Sequence, residues 1–138
     1  DACLKGVSEQ DASHKPSPNE WSMKETLAHL IAGERANQFQ LYDFICDSER
    51  AYDTFDNLDN IPEQINATVE AYSTIAELVK EYKRNQTEVV AMLAALPDKF
   101  VAHKGTYWRL AVPLLQIEDH TRGHFKQMRA AMKLEIGG

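Results

Sequence analysis

Positive charge is in short supply: fifteen lysines and arginines stand against twenty-one aspartates and glutamates, for a formal net charge of −6. That balance argues against a protein that holds nucleic acid by neutralising phosphates, and against one held at an anionic membrane surface. Long apolar runs are missing too. The longest, Val89 to Leu96, is far short of the roughly 20 residues a spanning helix needs. Cysteine is limited to Cys3 and Cys46, whose separation matches neither a C-x-x-C redox motif nor a zinc ribbon. A framework of several disulfides is excluded; a reducing compartment is expected, and with it the cytoplasm. No Asn-Gly or Asp-Gly turn occurs, and no alternation of β-branched residues persists, so strand signals are almost absent. What remains is one all-α domain over residues 1–138.

Helix signals are strong. Ser22-Met23-Lys24-Glu25 is a capping box, in which the serine hydroxyl accepts from the Glu25 amide and the Glu25 carboxylate accepts from the Ser22 amide. Met23, Leu27, Leu30, Ile31, Leu41 and Ile45 follow at helical spacing, which predicts a long helix from about Ser22 to Ser48. Glu49 to Asn60, rich in Asp and Asn, reads as a loop, and Pro62 suits the first turn of a short helix over Ile61 to Ala71. A second box, Thr74-Ile75-Ala76-Glu77, starts a helix ending near Leu96, before Pro97. Lys99 to Leu110 is expected to be a loop, and a last helix should run from about Val112 to Leu134. Asp1 to Ser13 has room for only a couple of helical turns, and His14 to Asn19, with two prolines, reads as a linker into the Ser22 helix. The pattern is a small bundle with antiparallel neighbours.

The last helix carries His120 and His124, whose i, i+4 spacing puts two imidazoles one turn apart on one face. On a helical wheel Glu118, Asp119, Arg122, Lys126, Arg129 and Lys133 form the solvated arc, and Ile117, His120, His124, Met128 and Ala131 the opposite one. Both histidines are therefore expected to face the core. A metal ion would satisfy two buried imidazoles, each giving one nitrogen to the ion and its other N–H to an acceptor. The alternative is a pair of core histidines bonded to backbone carbonyls or a tyrosine. His29, off the centre of its helix's apolar stripe, lies beside the small residues Ala32, Gly33 and Ala36, which leave room for an ion between two helices. Glu34 is the one acid set into that stripe; it could orient a ligand or relay a proton, or pair with a Lys or Arg of a neighbouring helix. His14 and His103 have no geometric reason to join.

Trp21-Ser22 opening a helix, then Leu27-Ala28-His29-Leu30 and Glu34, and finally His120-x-x-x-His124 in a C-terminal helix resembles the DinB/YfiT-like superfamily of metal-dependent bundles, over roughly Pro16 to Met132. The resemblance implies a four-helix bundle, here with a first helix shorter than the family's. It also implies a divalent metal on His29, His120 and His124. Several branches of the family act as transferases with bacillithiol or mycothiol, including a mycothiol-dependent isomerase, and many members have no assigned reaction.

Three neutral imidazoles without a carboxylate leave a divalent ion its full charge and an open position, the arrangement of a catalytic site. Such an ion favours the ionised form of bound water or of a bound thiol. Imidazole ligation favours zinc or nickel over magnesium. The expected function is a metal-dependent thiol S-transferase, with a hydrolase second. The alternative is a non-catalytic metal- or ligand-binding bundle with a stress-response or regulatory role. A small-molecule substrate is expected, with no nucleic acid and no membrane as partner. Apolar surface left by the short first helix points to a homodimer.

Overall fold

The structure, a computed structural model, describes residues 4–46, 62–98, 118–130 and 132. Among these every regular element is helical: α1 (Glu9–Ser13), α2 (Met23–Ile45), α3 (Pro62–Ala71), α4 (Ile75–Ala94) and α5 (118–130). No helix among them is long and apolar enough to cross a membrane. The loops expected at Glu49 to Asn60 and Lys99 to Leu110, the start of the last helix, and His103 lie outside the described residues.

Both expected capping boxes close. The Glu25 amide donates to Ser22 Oγ at 3.2 Å and the Ser22 amide to Glu25 Oε2 at 2.8 Å; at Thr74 and Glu77 the matching distances are 3.2 and 3.0 Å. A third box, Ser8 with Asp11, starts α1. At the other end α4 stops at Ala94, two residues before the expected Leu96. Pro97 keeps the residue before it out of the α region, so the last turn tightens: the Ala95 amide reaches the Met92 carbonyl and the Leu96 amide the Leu93 carbonyl.

The central element is α2, which packs on α4, α3 and α1. A helix serving neighbours on several sides is buried nearly all round, and Met23, Lys24 and every residue from Thr26 to Ala32 are buried rather than a single stripe. Its N-terminal half joins a cluster of Leu27, Leu30 and Ile31 with Ile65, Leu78 and Tyr82, to which α5 adds Met128 and Phe125. Its C-terminal half joins a second cluster, Leu41 and Phe44 with Val89. Burial in the first cluster is what presses α5 against the His29 end of α2.

Of the polar groups that α2 buries, Thr26 is satisfied within one turn, by the Ser22 carbonyl at 2.9 Å, and Lys24 at long range. Lys24 Nζ donates to the Ser73 carbonyl at 2.7 Å and pairs with Glu9 at 2.8 Å, while Glu9 also accepts from the Ile75 amide, tying α1 and α2 to the start of α4. Higher up, Arg35 pairs with buried Glu81 at 3.0 Å; Arg84 and Asn85 each reach the same oxygen at 2.8 Å.

Candidate metal centre

Ser22 has extended backbone, φ −64° and ψ 166°, and this turns Trp21 back along α2 rather than onward with it. The indole lies against the His29 ring, centroids 4.7 Å apart, and 6.2 Å from that of His124. Trp21 thus caps two imidazoles contributed by different helices.

The three histidines singled out in the sequence converge. One ligand-capable nitrogen from each of His29, His120 and His124 lies within 4.8 Å of the others, a cluster that can hold one metal ion. The His120 and His124 Nε2 atoms are 3.1 Å apart. Two nitrogens each about 2.05 Å from one ion would be about 2.9 Å apart at a right angle and about 3.3 Å apart at the tetrahedral angle, so the observed spacing suits shared ligation. The His29 ring lies 5.5 Å from that of His120 and 4.9 Å from that of His124, tilted by 67° and 68°. Rings set edge to face in this way aim nitrogens at a common point instead of stacking.

The orientation of His124 has a visible cause. Its Nδ1–H donates to Gln127 Oε1 at 2.8 Å, one turn further along α5. With that proton fixed on Nδ1, the neutral ring presents its lone pair at Nε2, toward His120; an acceptor behind a ligating histidine typically does this work at metal sites. The sequence reading missed Gln127, although its i+3 spacing from His124 was the available signal. Behind His124, on the Gln127 side, a cavity of about 350 Å³ is lined by Trp21, Met23 and Met128 with Asn19 and Glu20.

The expectation that His120 and His124 both face the core is corrected. His29, placed by sequence at the stripe's edge, is buried with 5% exposure, His124 is half-buried, and His120 is exposed. The residues of α5 shielded from solvent are Thr121, His124, Phe125 and Met128, a stripe turned toward Thr121. Adjacent helical residues point about 100° apart, so the stripe leaves His120 at its margin. The cluster therefore has a closed side at His29 and an open side at His120.

Glu34 is elsewhere. It is buried on the α4 side of α2, where burial pushes its carboxyl above the usual range and a hydrogen bond from Gln86 opposes that shift. Gln86 also donates to the Tyr82 hydroxyl at 2.7 Å, and Tyr82 bonds Thr121, the neighbour of His120. The cavity that Glu34 lines includes none of the three histidines among its described walls. His14 is an exposed cap of α1, and Tyr107 and Trp108 lie outside the described residues.

The family model described as DinB superfamily matches residues 1–128. No curated protein and no solved structure gives a match.

Proposed function

Because the chain belongs to the DinB superfamily, we propose that His29, His120 and His124 hold one zinc or nickel ion and that the protein is a transferase acting with a low-molecular-weight thiol. The observation that carries this reading is the ligand set: three imidazole nitrogens within 4.8 Å of one another and, among the described residues, no carboxylate with them. Four-coordinate zinc with three protein ligands keeps a position for an exchangeable one. When bound, the ion supplies Lewis acidity that favours the ionised form of a coordinated thiol.

The side chains divide the work. His29 and the Trp21 indole close the inner side and keep water from it. Gln127 fixes the tautomer of His124, so that its Nε2 carries no proton in the neutral ring. Exposed His120 leaves the approach for reactants open. In the transfer the thiol gives up its proton to water on the open side, its sulfur forms a bond to an electrophilic carbon, and the leaving group departs with the electron pair of the bond that breaks.

The reading is tested by following conjugation of a small thiol to chlorodinitrobenzene with zinc-loaded, nickel-loaded and metal-stripped protein. The expected result is a rate at least about tenfold higher with metal, lost with His124→Ala and little changed by Glu34→Gln, whose carboxylate lies outside the histidine cluster. Equal rates with and without metal would reassign the chain as a non-catalytic metal-binding bundle. Turnover of an ester without thiol would favour the hydrolase.

A further inference from the structure

Two glutamates are buried between α2 and α4, and they are treated in opposite ways. Glu81 has Arg35, Arg84 and Asn85 around one carboxylate. Glu34, 5% exposed, has a hydrogen bond from the neutral amide of Gln86, and among the described residues no lysine or arginine pairs with it. A buried carboxylate without a cation is costly, and a fold gains nothing from it unless another group supplies the charge. Glu34 also faces space. It lines a cavity of about 720 Å³ whose other described walls are the apolar Val89, Val90 and Leu93 and the polar Lys83, Gln86 and Thr87.

We propose that this cavity binds a small aliphatic primary monoamine as its ammonium ion, the head paired with Glu34 and the tail along Val89, Val90 and Leu93. Charge complementarity selects the head: a compact ammonium offers three donors to a carboxylate that has one from Gln86. The axial rise of α4 sets the tail. From Gln86, which marks the carboxyl, to Leu93 is seven residues or about 10 Å, room for a chain of about six carbons. The apolar end gives a second charge no partner among the described walls, so a diamine gains nothing over a monoamine. Lys83 also lines the cavity, but it stands ten residues before Leu93 on α4, about 15 Å along the helix axis from the end of the tail. The site uses none of the three histidines and is independent of the metal.

Calorimetric titration of the full chain with n-hexylamine tests this, in zinc-loaded and metal-stripped protein alike. The expected result is saturable binding in both forms, weakened about tenfold or more by Glu34→Gln and by Val90→Lys, about tenfold weaker for n-hexanol and no tighter for hexamethylenediamine. Val90 is 65% exposed, so the second variant puts a cation beside the tail without disturbing the core. No binding of hexylamine at millimolar concentration would overturn the proposal. So would unchanged affinity in both variants, or equal affinity for the alcohol.

Discussion

A His124→Ala variant is expected to lose zinc affinity by well over 100-fold in competition with a chromophoric chelator, while Gln127→Ala loses about 10- to 100-fold. The second figure is the usual cost of removing the hydrogen-bond partner of a ligating histidine. The first must exceed it, because His124 contributes the nitrogen itself, 3.1 Å from that of His120, and also the ring that Trp21 covers. The order matters more than either value. Gln127 bonds the cluster at His124 Nδ1, so a Gln127 variant that weakened zinc as much as the His124 variant would mean that the imidazole is held but does not ligate. Far-ultraviolet circular dichroism should be unchanged in the Gln127 variant, whose side chain is exposed on α5.

The second large effect concerns stability. Glu81→Ala is expected to destabilise the fold by about 2–3 kcal/mol in urea unfolding, below the usual cost of breaking a buried ion pair because Arg84 is 56% exposed and stays solvated. What remains after the substitution is Arg35, clamped between α2 and α4, and the buried Asn85 amide, both short of an acceptor. The same carboxylate predicts an acid response. Hydrogen bonding by Arg84, opposed by burial and reinforced by Asn85 and Arg35, lowers Glu81 from 4.5 to about 2. Its contribution is therefore complete above about pH 4.5 and is lost as the pH falls toward 2, where the folded protein too takes up the proton. In the alanine variant the difference from the parent should shrink across that window.

How much of this was legible in the sequence depends on how local each feature is. The boxes at Ser22 and Thr74 were readable because both partners sit three residues apart and the chemistry is complete within one turn. The box at Ser8 uses Asp11 where the other two use a glutamate, and it was missed. The three histidines were readable from spacing, small neighbours and family resemblance together. Their relative burial was not, because it turns on the rotation of α5. That rotation is set partly by Thr121, a polar residue that a hydrophobic wheel ignores and that Tyr82 holds from α4. The same holds for the closed surround of α2. Lys24 looks like a solvent-facing residue until its partner is known, and that partner is the Ser73 carbonyl, 49 residues away. Glu34 stood out as an acid in an apolar stripe, yet no pattern in the sequence distinguished its surroundings from those of Glu81.

The central claim is that one metal ion sits on three imidazoles drawn from α2 and α5. X-ray absorption spectroscopy on protein prepared without a polyhistidine tag and loaded with zinc tests it most directly. The account predicts one ion per chain, a first shell containing three nitrogens at about 2.0–2.1 Å with the outer scattering of imidazole rings, and loss of that signal when His29, His120 and His124 are all replaced by alanine. A shell of oxygens alone, or the same metal content and spectrum in the triple variant, would contradict it.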